Sequence, residues 1–355
     1  MIRPYLFLAI SLPLSALEPG VGHVEIALTY QPNTQAWSWN TDWFDNDLQL
    51  RDDPLSSLFF PGLDRFYDPE DFSNPDNLGC KWLRPPGSQW DFLGIDENEP
   101  LWIFSDTALA SAGFDSTPSN LTGSLQFTLV DVSGPSNGHF ALYFGSSPQV
   151  YMQTLDGIGP TDVFPKPASH FHASWAFTRK GLWIVSLKAK GTLASSGQPT
   201  VESAPQPIVF AIGELATWRA THFDMAQLQD PGISGDDADP DQDSFGNLME
   251  FALGGHPLQS SPLASSGFGP MRPRLLRPTS VGGPWHFEYL QRIPVDDAEI
   301  VYQVESTSDP ASSEWNIETT PAQSVVLDDT WLRITQPVPA ASRKFLRLRV
   351  EQVSE

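Results

Sequence analysis

The 355-residue chain contains a single cysteine, Cys80. That excludes an intrachain disulfide and every paired-cysteine metal or redox motif. Basic residues are also scarce: 20 Lys and Arg stand against 43 Asp and Glu, a net charge of −23. Nucleic-acid binding and attraction to anionic membranes both depend on Lys and Arg, so neither partner fits. Charged residues make up only 18% of the chain, too few for a coiled coil or a long charged helix. No stretch reaches the roughly 18 apolar residues of a membrane-spanning helix, so no membrane span is expected in the mature chain. The nucleophile-elbow, zinc-protease, phosphate-loop and dinucleotide-binding patterns are missing. Acidic pairs in residues 41–100 have the residue types of glycosidase acids, but nothing places two of them at a working separation. The chain therefore reads as non-enzymatic.

Hydrophobic residues are 40% and aromatics 12%, enough to bury a core, while 33 Pro and 26 Gly point to a loop-rich, β-leaning chain. At about 150 residues per domain, two domains are expected. Residues 1–16 read as a secretory signal: Arg3 supplies the charge, an apolar run follows Pro4, and small Ser15 and Ala16 precede the cut. A secreted or cell-surface location follows from it. From His23 the period is two, with Val24, Ile26, Leu28 and Tyr30 on one face. Residues 41–100 hold 14 acidic against 4 basic residues and read as irregular. Strand patterns resume at 101–104, 125–132, 139–144, 170–177, 182–189 and 207–212, separated by turn residues. Short alternating strands at this spacing indicate a β-sandwich over residues 22–213. Residues 214–228 read as helix, 259–269 as a Ser/Gly/Pro linker, and 270–353 as a smaller β-sandwich. The expected fold is mostly β: two β-sandwich domains joined by a short helical connector, residues 214–258.

That connector carries the strongest chemical pattern. Asp239, Asp241, Asp243, Phe245 (through its carbonyl), Asn247 and Glu250 occupy positions 1, 3, 5, 7, 9 and 12 of a twelve-residue loop. Calcium takes six to eight hard oxygen ligands, and this spacing can supply them. Ser244 stands at position 6, where such loops have Gly for a sharp turn; Gly246, two residues on, is expected to relieve the strain. The competing reading is a flexible acidic linker. A helix over 247–253 ended by Gly254 and Gly255 is expected to follow. Calcium would be structural here, stiffening the connector, with neither sandwich core depending on it.

The histidines leave a second reading open. His170 and His172 fall on one side of a strand, opposite Phe171, Ala173, Trp175 and Phe177, and an i, i+2 pair suits Zn²⁺. His23, Glu25 and His139 lie on the same type of face of other strands and would complete a zinc site if those strands were neighbours. The alternative is that all are polar surface or packing residues. Trp37, Trp39 and Trp43 share a strand face and admit a carbohydrate-binding platform, with core packing as the competing role. A cell-surface protein or a glycan is the partner class left open.

Residues 22–213 resemble the bacterial choice-of-anchor M domain, also called the actinobacterial-type surface-anchored protein domain. The resemblance is carried by residues 23–27 (His-Val-Glu-Ile-Ala), 100–104 (Pro-Leu-Trp-Ile-Phe), 138–143 (Gly-His-Phe-Ala-Leu-Tyr) and 170–181, which match a HxHxxWAFTxPG pattern except for Lys180 in place of Pro. Residues 214–255 resemble the calcium-loop segment common in large exported bacterial proteins. The part after 270 is similar to the small β-module that often follows it. The resemblance implies an exported surface protein with no enzymatic activity, and some relatives sit beside metal-transport genes, which suggests a metal or surface role.

Overall fold

The computed structural model describes residues 14–16, 23–45, 48–54, 58–62, 79–104, 112–114, 120–166, 171–194, 197, 199–260, 264, 266–269, 272–294, 298–339 and 344–353. For residues 15–16, 23–25, 42–45, 48–54, 58 and 112–114 the description covers the backbone alone. Residues 1–13 of the expected signal lie outside it. The protein is mostly β, with several sheets in a sandwich-like arrangement, and it divides into two units, residues 1–225 and 226–355.

In the first unit a seven-stranded sheet runs Ser15–Ala16, Leu58–Gly62, Gln206–Ile212, Gly181–Leu193, Leu121–Ser133, Val163–Lys166, with Thr200–Glu202 paired to the outer part of Gly181–Leu193. A five-stranded sheet runs Gln149–Gln153, Phe140–Phe144, Ser174–Phe177, Pro100–Phe104, Cys80–Leu83. A second runs Phe171–His172, Ala112–Phe114, His23–Gln31, Ala36–Asp45, Leu48–Pro54. All three contribute to one core: Phe127, Val185 and Phe210 from the first, Phe104, Trp175 and Phe177 from the second, Ile26, Leu28 and Trp39 from the third.

The period-two pattern explains most of this. Along Gly181–Leu193, Trp183, Val185, Leu187 and Ala189 are buried, while Ser186 and Lys188 are half-buried and Lys190 is exposed. The pattern fails in the first five-stranded sheet, which is covered on both faces. Trp102, Phe140, Leu142 and Trp175 face the main core. Leu101, Ile103, Ala141, Tyr143 and Ala176 face a second cluster built with Trp90 and Leu93. These two come from a 3-10 helix, Ser88–Leu93, that lies over the sheet. Arg84 pins this segment, donating to Asp91 Oδ1 at 2.6 Å. The expectation that residues 41–100 are irregular is corrected: the described part includes Leu48–Pro54, Leu58–Gly62 and Cys80–Leu83 as strands. Leu48–Pro54 forms a hairpin with Ala36–Asp45 and Cys80–Leu83 pairs with Pro100–Phe104, whereas Leu58–Gly62 pairs with the distant Gln206–Ile212; none of the three shows a clean alternation of apolar and polar residues.

The segment 214–258 is shared between the units. Helix α1 (Glu214–His222) packs on Gly181–Leu193 and Gln206–Ile212 of the first. It stops at Phe223, which is fully buried and extended in backbone, so the expected single helix to residue 228 is broken before α2 (Met225–Leu228). The second unit holds α3 (Pro231–Ser234), the acidic loop and α4 (Asn247–Leu253). Its sheets are Arg274–Leu276, Trp285–Arg292, Trp331–Val338, Gln323–Val326 and Asn316–Ile317, Ile300–Thr307, Phe345–Gln352. Among the described residues no helix is long and apolar enough to cross a membrane.

Candidate metal centre

The acidic loop folds around its own carboxylates. Asp239 Oδ1 accepts from the backbone N–H of Asp243 at 3.1 Å, and Oδ2 from that of Ser244 at 3.0 Å. Asp241 Oδ1 accepts from Asp243 N at 3.1 Å, and Asp243 Oδ1 from Phe245 N at 3.0 Å. Short acidic side chains bonding the backbone two to five residues on are the local chemistry that turns the chain here. The result brings one carboxylate oxygen from each of Asp239, Asp241 and Asp243 within 4.8 Å of the others.

Two turn positions take the left-handed conformation, Gln242 at φ 61° and Ser244 at φ 78°. Gly246 does not relieve this, contrary to expectation: its φ of −75° suits any residue. Gly246 is needed for contact instead, because a Cβ there would lie 2.8 Å from the Asp236 carbonyl oxygen. Ser244 itself carries the strain that Gly would avoid.

Asn247 and Glu250, the other two side chains of the expected set, stand on α4, outside the group of three aspartates in mutual reach. Asn247 is fully buried; its Nδ2 donates to the carbonyls of Ile233 at 2.8 Å and Gly235 at 2.7 Å, while Oδ1 meets no donor. Glu250 is 1% exposed, and its Oε2 also meets no donor. The Oδ2 of Asp241 is the third such buried oxygen. An unsatisfied buried acceptor is costly, and a buried carboxylate without a counter-charge more so. Burial, and beyond it the charges of Asp241, Asp243 and Asp239, push the Glu250 carboxyl up to about 8, against a backbone hydrogen bond from His256. Burial also raises Asp241, with Asp243 and Asp239 adding repulsion and a backbone hydrogen bond from Asp243 opposing it.

These residues fit a cation. One divalent ion held by the three aspartates would relieve their mutual repulsion, and Glu250, whose carboxyl their charges raise, lies near enough to feel it. A donor set of oxygen alone, without imidazole or thiolate, suits Ca²⁺ rather than Zn²⁺. Phe245, whose carbonyl is the remaining expected ligand, is held by its N–H bond to Asp243 and by the Arg272 guanidinium 4.6 Å over its ring. Arg272 also donates to the Asp243 carbonyl. No spacing rule flags Arg272, which follows the loop through a Ser/Gly/Pro stretch and reaches it only in the folded unit.

The histidines are distributed differently. The His170 residue and the side chains of His23 and Glu25 lie outside the described residues. In backbone register, Glu25 pairs with Gly113, and Gly113 with His172, so Glu25 and His172 stand level on either side of one strand. His139 immediately precedes Phe140–Phe144, a strand of another sheet, and is not itself part of it. Its N–H donates to Thr178 Oγ1 at 2.8 Å and its carbonyl accepts from Thr178 N at 3.1 Å, at the far end of Ser174–Phe177 from His172. Its ring lies against Gly94. Among the described residues, Asp239, Asp241 and Asp243 are the one group of three or more ligating side chains in mutual reach.

Trp39 is buried and packs edge-on against Phe127 at 5.7 Å, and Trp37 lies against Tyr30 at 5.1 Å. Trp39 belongs to the main core, and Trp37, half-buried, packs against it; the Trp43 side chain lies outside the described residues. Cys80 is a buried free thiol. No protein-family model and no curated protein sequence matches the chain.

Proposed function

We propose that the chain is an exported, non-enzymatic cell-surface or extracellular protein with a display or binding role, and that its second unit is built around a structural calcium ion. The observation that carries this reading is the set of buried oxygens on Asp241, Asn247 and Glu250 with no hydrogen-bond donor, beside two more aspartates. Export rests on the signal-like residues 1–16, and the surface role on the resemblance to the choice-of-anchor M domain. A protein working outside the cell meets calcium at concentrations that extracellular sites are tuned to bind, about 10⁻⁴–10⁻³ M.

The test has two arms. Calorimetric titration of the chelated, purified protein with Ca²⁺ is expected to show one site, lost in Asp243→Ala. Fractionation of cells expressing the tagged chain is expected to recover it outside the cytoplasm, with its new N-terminus near residue 17. Uptake unchanged by Asp243→Ala would overturn the calcium assignment, and a full-length cytoplasmic product would overturn export.

A further inference from the structure

We infer that calcium governs the folding of the whole second unit, residues 226–355, rather than the order of the loop alone; the inference rests on the calcium reading of the acidic loop. The sequence expectation is that neither core depends on this loop; the packing of α4 argues for the opposite in the second unit. Asn247 opens this seven-residue helix and Glu250 stands at its middle, each with a buried oxygen that meets no donor. Leu253, at its other end, is fully buried in a cluster with Phe287, Tyr289, Val304, Ile334 and Leu348. Phe245 and Met249 pack against the same cluster. Loop, helix and sheet core are therefore one body of contacts.

The polar ties run the same way. A helix end leaves carbonyls without partners, and here both sheets supply donors. Tyr302, from Ile300–Thr307, donates its hydroxyl to the Ala252 carbonyl at 2.8 Å. Arg292, from Trp285–Arg292, donates to the Phe251 carbonyl at 3.3 and 3.2 Å. The guanidinium lies 4.4 Å over the Phe251 ring and 4.8 Å over Trp331, and the Arg292 N–H donates to Tyr302 Oη at 3.1 Å. Gly254, which ends α4 at φ 78°, leaves no room for a Cβ beside the Trp331 ring, 2.9 Å away.

A seven-residue helix has no stability of its own in water. α4 persists only while its loop end and its sheet end both hold. Without a cation the loop end holds the Asp239, Asp241 and Asp243 carboxylates within reach of one another, the buried Glu250 Oε2 has no donor, and Arg272 donates to a backbone carbonyl rather than to a carboxylate. Loosening that end withdraws Leu253 from the core three residues away. By linkage, whatever weakens the sheet core must then weaken calcium binding, even where it touches no ligand.

The experiment uses the mature full chain. Hydrogen exchange is followed by mass spectrometry in Ca²⁺ and in EGTA, with calorimetric Ca²⁺ titration on the same preparation. In EGTA, protection is expected to be lost over Trp285–Arg292, Ile300–Thr307, Trp331–Val338 and Phe345–Gln352, while Leu121–Ser133 and Gly181–Leu193 keep theirs. Tyr302→Phe deletes the hydroxyl that donates to Ala252 and accepts from the Arg292 N–H, and is expected to weaken Ca²⁺ binding about fivefold or more at unchanged stoichiometry, about fivefold being the net worth of one hydrogen bond. Saturable Ca²⁺ binding with equal protection in EGTA would overturn the coupling and leave the site standing. So would an unchanged affinity in Tyr302→Phe. Absence of Ca²⁺ uptake in the wild type would remove the site and the coupling together.

Discussion

Calcium binding to this loop should expel a proton, and Glu250 is the group that gives it up. Its carboxyl is buried, one oxygen lacks a donor, and its pKa is pushed up to about 8. At pH 7 the metal-free carboxyl is therefore about 90% protonated, whereas an ordinary Glu would be almost fully ionised. A calcium ligand must be ionised, so binding at pH 7 should release about 0.9 proton per ion from this group. At pH 9 the release should fall to about 0.1, because the proton has already left. Affinity should rise about tenfold per pH unit between pH 6 and 7 and level off above about 8, each decade corresponding to about 1.4 kcal/mol. Without calcium the same shift has a second consequence. Below about pH 4.5 the group is protonated in both folded and unfolded chains and contributes no difference; as pH rises from there to about 8 only the unfolded chain ionises, so stability is lost over that window. The ceiling on the loss is on the order of 5 kcal/mol. The assay is calorimetry in two buffers of different ionisation heat, on wild type and Glu250→Gln. The variant is expected to bind more weakly, with no Glu250 proton released and a much flatter pH dependence. A wild-type release near zero at pH 7, or the same release from the variant, would refute the reasoning.

Two further outcomes follow from single positions. Ser244→Gly replaces a residue at φ 78° with one that adopts that conformation freely, and it should stabilise the calcium-bound protein by about 1 kcal/mol, read as a rise in the second unit's unfolding temperature; a fall would show that Ser244 is not strained. In the first unit, Phe210 is fully buried among Phe60, Phe104, Trp175 and Phe177, with ring centroids 4.8–5.1 Å away, so Phe210→Ala should cost about 3–5 kcal/mol in denaturant unfolding; a loss below 1 kcal/mol would mean that this core closes over the cavity.

Much of this protein is written in local pattern. The alternation of Trp183, Val185, Leu187 and Ala189 selects strand and marks its buried face, because side chains along a strand repeat every second residue. The spacing of Asp239, Asp241 and Asp243 marks the acidic loop, because their hydrogen bonds span only two to five residues. Gly254 marks the end of α4 for the same reason: a left-handed cap is a property of one residue. Tertiary structure decided the rest. Ala141, Tyr143 and Ala176 are buried only because the Ser88–Leu93 helix, more than 40 residues upstream of the nearest of them, lies over their sheet. Trp39 reads equally as platform or core until Phe127 is found against it. His139 and His172 each fall opposite an apolar row in sequence, but His172 ends a strand of one sheet and His139 precedes a strand of another, and the alternation carries no information about which strands pair. Glu250 looks like the last ligand of a surface loop; its burial, and with it the raised pKa, comes from packing α4 onto sheets whose strands follow it in the chain. Short-range geometry is fixed by neighbouring residues. Burial, strand adjacency and the coupling of the loop to a core depend on contacts between distant residues, and those exist only once the chain has folded.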